Sequence, residues 1–371
     1  MTLSSPVDGG REAAVDHNDA EGIQVRRIAV AGHICLDITP RLTGNARLDP
    51  GLLVEVGPLS LALGGSVANT GRTLSALGAN VVAFANVGDD ALGEIVQQML
   101  TTDDHIDGRL SVISGTSTSY SLVLELQGSD RTFWHHVGAN REFDGAEIEL
   151  EGVDILHLGY PPLLPALLRH DGAPLHHLLK RARTAGAITS VDLAVVDAAS
   201  EAGAADWNAV LRTMATQTDL VSPSLDDLTS ALRIDAPFSI DLVEELAGRL
   251  LEWGVAVVAI SAGEHGLFIR TAGTARFDES GPALAALGPT WADRSVDIAP
   301  IRVDVPVTTN GAGDASTAGL LFALAVGATI DQAADLAAAC SAAIVAGKSA
   351  APSLVNGISP TIADLYPQAL A

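Results

Sequence analysis

With 371 residues, 48% hydrophobic but only 4% aromatic, the chain must build its core from Ala, Val, Leu and Ile. That suits buried parallel strands covered by helices, in one large α/β domain or two smaller ones. A formal net charge of −24 repels phosphate backbones and anionic headgroups, which argues against nucleic-acid and membrane partners.

In chain order, the first 24 residues come first. Their first 22, "MTLSSPVDGGREAAVDHNDAEG", are polar, acidic and without the apolar segment of a signal peptide, and residues 1–24 read as a disordered tail. Short β-rich runs follow at 26–32 (RRIAVAG), 80–88, 153–159, 188–193 (ITSVDL), 218–223 and 255–261. Helical patterns lie between them. "SVANTGRTLSALG" carries Val67, Thr70, Leu74 and Leu77 on one stripe, and others run through 163–186, 206–215 and 239–254. Gly78, Gly186 and Gly254 close these helices. Strands alternating with helices predict a doubly wound, mostly parallel sheet with helices on both faces. Segments 33–63 and 112–137 break the rhythm with strand-like pieces lacking helices; the second turns at "QGSD" as an antiparallel hairpin, so we expect a small β-sheet lid. No apolar run is long enough to span a bilayer. Cys35 and Cys340 stand far apart with no CxxC spacing, which predicts reduced thiols, no disulfide framework and no zinc site. The expectation is a soluble, cytoplasmic protein.

The first strand is not followed by G-x-G-x-x-G, and no GxxxxGK[ST] occurs, so neither a dinucleotide fingerprint nor a P-loop is present. Instead, "VTTNGAGDASTAGLL" sets Gly311, Ala312, Gly313 and Asp314 at the mouth of an apolar helix. Asp314 could simply cap that helix. Alternatively, the small residues let backbone N–H groups and the helix dipole cradle an anion, with Asp314 beside it as a base. A second segment, 63–100, opens with "LGGSVAN", where Gly64 and Gly65 precede a helix carrying Asn69; consecutive glycines there imply close approach of something to the backbone.

"GGxxANxxxxLxxLG…VGxDxxG" followed by "TxGAGDxxxAG" resembles the two signatures of the ribokinase-like (PfkB-type) carbohydrate kinases. "AGHICLD" (31–37), "DRTFWHHVGAN" (130–140) and "SAGEHG" (261–266) extend the resemblance, in order, from about Arg26 to the C-terminus. The resemblance implies a ribokinase-like α/β fold over 25–371 with the lid inserted. It further implies ATP-dependent phosphorylation of a hydroxymethyl group on a sugar or nucleoside, with Mg²⁺. On matching positions, Asp314 would be the general base and Gly311, Ala312 and Gly313 the anion hole. Asp37, Gly64, Gly65 and Asn69 would serve the substrate, and Ser261, Gly263 and Gly266 the nucleotide. Such kinases often dimerise through the lid sheet, so a homodimer is expected.

Three positions depart from the family pattern. In "SPSLDDL", Ser224 replaces the usual Asn and Asp227 the usual Glu that organises magnesium through water; Asp226 and Asp227 are also ordinary first-turn acids. Thr308, Thr309 and Asn310 replace the acid that opens the second signature, which argues against a potassium site. Cys35 takes a polar position and reads as a packed residue, as does His33. Ser66 stands where a Lys could bind a phosphate, and Arg72 and Arg131 read as solvated, which favours a neutral substrate. Phe133, Trp134 and Tyr160 could stack on a ring. Alternative readings are a nucleoside kinase of the same fold or a degenerate kinase acting as a sugar-binding regulator.

Overall fold

The computed structural model describes residues 26–42, 50–102, 106–124 and 132–366; the acidic tail, the "QGSD" turn and Arg131 lie outside them. Thirteen strands are described: β1 (Arg27–Gly32), β2 (Cys35–Pro40), β3 (Leu59–Gly64), β4 (Asn80–Gly88), β5 (Ile106–Ile113), β6 (Tyr120–Leu124), β7 (Thr132–His136), β8 (Ile155–Gly159), β9 (Ile188–Val191), β10 (Leu220–Val221), β11 (Val257–Ser261), β12 (Leu267–Thr271) and β13 (Ser295–Ile298). Nine form one sheet in the order β13-β12-β11-β10-β9-β8-β1-β4-β5. It is parallel from β5 to β11 and antiparallel only at the β11–β12–β13 edge.

The sheet is covered on both faces, as the continuous apolar strands require. Along β1, Ile28 and Val30 face one core while Ala29 and Ala31 face the other, the period-2 alternation of a strand. The first core takes Val67 and Leu74 from α1 (Ser66–Ala76) and Val96 from α2 (Ala91–Leu100). The second takes Leu175 and Leu178 from α3 (Pro165–Thr184), Val210 from α4 (Trp207–Ala215), Leu228 from α5 (Leu225–Leu232) and Leu246 from α6 (Ile240–Glu252). The late helices are α7 (Thr274–Asp278), α8 (Pro282–Ala285), α9 (Gly288–Trp291), α10 (Ala312–Val326), α11 (Ile330–Val345) and α12 (Pro352–Ile358). Of these, α10 and α11 close the first core; a Cβ on Gly319 would come within 2.8 Å of the Ala337 Cα, so their small residues bring the backbones together.

Two local readings change. The segment expected as one helix at 163–186 is broken inside α3, where His170, Asp171 and Gly172 have left-handed φ values of 53°, 55° and 82°. Val112 and Ile113, read as the start of the lid hairpin, pair with Val87 and Gly88 at the edge of the main sheet. The lid itself is a separate four-stranded sheet, β3-β2-β6-β7, with β2–β6 parallel and the other pairs antiparallel. It sits at the carboxyl end of β1, where open α/β sheets form their ligand crevice.

Candidate active site

A cavity of about 600 Å³ opens where the main sheet, the lid and the start of α10 meet. His33 follows β1, Tyr160 follows β8, Asp192 follows β9, Ser222 and Ser224 follow β10, and Ser261 ends β11. Parallel strands all deliver their carboxyl ends to one side, so residues far apart in sequence become neighbours there. The lid contributes Cys35, Asp37, Ser121, Phe133 and His135.

Asp314 lies at the centre. The sequence places the helix start near it, but α10 begins two residues earlier, with Gly311 as N-cap at φ 78° and no side-chain cap. Asp314 is therefore the third helical residue, and its carboxylate turns to tertiary partners instead of capping. Oδ2 accepts from Asn69 Nδ2 at 2.9 Å, and Oδ1 accepts from the Tyr160 hydroxyl at 2.6 Å and Thr70 Oγ1 at 3.3 Å. Burial pushes its pKa above the ordinary carboxylate value, against the three hydrogen bonds, which stabilise the anion. Gly313 faces open space, with nothing within 4 Å of where its Cβ would stand. Of the amides at the start of α10, that of Ala312 donates to the Thr309 carbonyl, at 3.3 Å.

The glycine pair before α1 has a direct geometric cause. Gly65 adopts φ 87°, and a Cβ there would lie 2.6 Å from both His33 Nδ1 and the His33 carbonyl oxygen. A Cβ on Gly64 would lie 2.5 Å from Asp37 Oδ2. The close approach expected from "GGSVAN" is made by the protein's own groups: Gly64 leaves room for the Asp37 carboxylate, and Gly65 lets α1 start against His33. Val67 N–H then donates to the His33 carbonyl at 3.1 Å, which sets the helix that presents Asn69 and Thr70. Asp37 accepts from Cys35 Sγ at 3.4 Å and from Asn310 Nδ2 at 3.2 Å, so Asn310 is tied to the lid carboxylate.

Asp227 and Ser224 form a capping box: Ser224 Oγ accepts from the Asp227 N–H at 3.0 Å, and Asp227 Oδ2 accepts from the Ser224 N–H at 2.8 Å. Asp227 still lines the cavity, and burial raises its pKa to about 6. Sequence reading missed Asp192. It directly follows β9, is buried against the cavity, and accepts from the Leu193 N–H at 2.8 Å. Burial first, then the charges of Asp314 and Asp227, hold its pKa well above the ordinary value. The available signal was its place as the first charged residue after the buried run "AITSV".

The remaining expected residues divide. Gly65, Asn69, Asp37, Gly311, Gly313, Asp227 and Ser261 line the cavity with Asp314, and Ser261 bridges Ser224. Gly64 and Ala312 stand just behind that lining, while Gly263 and Gly266 belong to a 3₁₀ turn beyond Ser261. Tyr160 reaches the Asp314 carboxylate with its hydroxyl, Phe133 lines the cavity, and Trp134 does not. The double Pro after Tyr160 makes one 3₁₀ turn, Pro161–Leu163, leading into α3. Arg72 borders an adjoining hollow with Thr308 and Asn310. His33, read as structural, lines the cavity.

Residues 25–356 match the model of the pfkB family of carbohydrate kinases. The chain belongs to that family. As a pfkB-family protein it is a phosphotransferase with an alcohol acceptor. It is 26% identical over 282 residues (75% of this chain, 77% of the relative) to an ATP-dependent 6-phosphofructokinase of Thermoanaerobacterium thermosaccharolyticum. It is 22% identical over 363 residues, 93% of each chain, to a probable fructokinase-7 of Arabidopsis thaliana. Its fold resembles that of a ribokinase from Arabidopsis thaliana solved with ribose and ATP, with TM-score 0.68, 17% identity and coverage of 91% of this chain and 99% of that one. No helix among the described residues is long and apolar enough to cross a membrane.

Proposed function

We propose that this pfkB-family protein transfers the γ-phosphoryl group of ATP to a hydroxymethyl hydroxyl of a neutral sugar, with Asp314 as general base. The observation that carries this reading is the buried Asp314 carboxylate, held by Asn69, Thr70 and Tyr160 beside the open N-terminus of α10. A base with a raised pKa is better matched to taking a proton near neutral pH. As the sugar oxygen attacks the γ-phosphorus, its proton passes to Asp314 and the bond from the γ-phosphorus to the bridging oxygen breaks. The amides of Gly311, Ala312 and Gly313, with the helix dipole, face the charge that builds on the phosphoryl oxygens. The long Ala312 bond to Thr309 is weak enough to be exchanged for a charged acceptor.

Asp37 and Asn69 would hold sugar hydroxyls, with Gly64 and Gly65 keeping that side of the cavity open. The cavity lining contains no Lys or Arg among the described residues, which favours a neutral acceptor over a phosphorylated one. Ser261 and the Gly263–Gly266 turn would lie against the nucleotide. Asp192 and Asp227 offer carboxylate oxygens of the hard kind that suits Mg²⁺, directly or through water. A bound Mg²⁺ would neutralise phosphate charge that this acidic cavity otherwise repels. The lid would keep competing water out, and the protein would pair through that lid as a homodimer.

The test is a coupled ADP-release assay with Mg·ATP against pentoses, hexoses and nucleosides, run beside Asp314→Asn. We expect one substrate class to turn over and the variant to lose about 10²–10⁴-fold in kcat with its circular dichroism unchanged. Full activity in Asp314→Asn would overturn the assignment of the base. Sugar binding without ATP consumption would point to the sugar-binding regulator.

A further inference from the structure

Beside Asp37 in the same cavity lies a group of side chains to which the proposed phosphoryl transfer gives no part. His33, Cys35 and His135 each bring one donor atom within 4.8 Å of the other two. His33 is 3% exposed, yet neither of its ring nitrogens has a hydrogen-bond partner among the described residues. His135 shares a hydrogen with Ser121 Oγ through Nδ1, at 3.1 Å, and its Nε2 is buried without a partner. Buried polar atoms are normally satisfied, and three unsatisfied imidazole nitrogens in one cavity need a reason.

We propose that His33, Cys35 and His135 form a binding site for a thiophilic divalent cation of the zinc type at the sugar end of the cavity. Imidazole and thiolate are the ligands such ions prefer, whereas hard cations go to carboxylates. A tetrahedral zinc, with bonds of about 2.0–2.3 Å, holds its ligand atoms roughly 3.3–3.8 Å apart, so small side-chain rotations close this set around an ion. Ser121 supplies the outer partner that typically orients a ligating imidazole, leaving Nε2 to face the ion. The fourth position opens on the cavity, where water would complete the shell.

Coordination requires the Cys35 thiol to give its proton to solvent and bind as thiolate. That step breaks the Cys35 Sγ–H to Asp37 Oδ1 bond and places positive charge beside Asp37, so the ion competes with the sugar. The competition rests on the kinase reading; the metal site does not.

Cobalt is the first probe, added to the full chain after chelator treatment. We expect one cobalt per chain, tetrahedral visible bands and a thiolate-to-cobalt charge-transfer band, all reversed by zinc. Cys35→Ser should lose the charge-transfer band and Cys340→Ala should keep it. His33→Ala and His135→Gln should each weaken cobalt binding at least tenfold; His135→Gln, on a lid strand, serves if Cys35→Ser fails to fold. Absence of the charge-transfer band, or its survival in Cys35→Ser, overturns the site. Because this readout needs no turnover, it stands apart from the kinase assay. Once a substrate is known, zinc should raise its KM at constant kcat in the unmodified chain and not in Cys35→Ser; inhibition that leaves KM unchanged overturns the competition.

Discussion

Asp314 shows how one residue can be read two ways until its neighbours are known. As a helix cap it would spend its oxygens on backbone amides; as the third residue of α10 it receives three side-chain donors instead. The Tyr160 hydroxyl is the shortest of these bonds, and removing it withdraws support from the anion. Tyr160→Phe should therefore raise the Asp314 pKa and move the acidic limb of the kcat/KM profile to higher pH, measured on the substrate found by the ADP-release assay. An unshifted limb would separate Tyr160 from the base. Asp227 yields a stability prediction. Its folded pKa of about 6 lies above its ordinary 3.8, so the native state binds the proton more tightly and stability falls as pH rises through that window. At about 1.4 kcal/mol per pKa unit the penalty reaches roughly 3 kcal/mol above pH 6. Asp227→Asn should thus melt higher than the unmodified chain at pH 7 and about equal to it near pH 3, below the ordinary 3.8, by calorimetry. Of these residues, Asp314 and Asp227 were legible from motif position. Asp192 was marked only as the first charged residue after a buried strand, which does not say that it faces a cavity, and nothing local signalled the hydroxyl role of Tyr160.

At the scale of elements, the glycines at the two helix starts do different work, and substitution separates them. Gly65 combines φ 87° and ψ 162°, a region open essentially only to glycine, with a blocked Cβ position. Gly65→Ala should cost about 1–3 kcal/mol in chemical denaturation and displace Asn69 and Thr70 from Asp314. Gly313 is helical with free space beside it, so Gly313→Ala should keep or raise the melting temperature. On the proposed mechanism its methyl would intrude on the phosphoryl oxygens, and turnover should drop about 10²-fold. A Gly313→Ala enzyme of normal rate would remove the anion cradle from the mechanism. Periodicity correctly located most helices and the parallel strands. It missed the break in α3, because the apolar spacing runs on across His170–Gly172 while the backbone there turns left-handed.

Over the whole molecule, the lid is a narrow sheet whose outer strands, β3 and β7, have no further strand partner among the described residues. It exposes Leu59, Leu61 and Trp134, a set that favours burial against a second copy. We expect sedimentation velocity to show a dimer at micromolar concentration, and Leu61→Lys with Trp134→Lys to give monomer. A monomeric unmodified chain would remove the lid-mediated pair.

The sequence by itself determined the layered α/β fold, since apolar runs of strand length alternating with helical stripes can bury their surface in few other ways. It also marked the two glycine-rich helix starts and the carboxylate of Asp314, because backbone that approaches other groups closely demands small residues in fixed order. Only the tertiary structure decided which groups share the cavity. Tyr160 and Asn69 reach Asp314 across 154 and 245 residues, and His135 comes to His33 and Cys35 from another lid strand. The spacing of the cysteines predicted no zinc site, yet two imidazoles and a thiol meet all the same. Crossover connections bring strand ends together whatever their distance along the chain, and no local pattern records that distance.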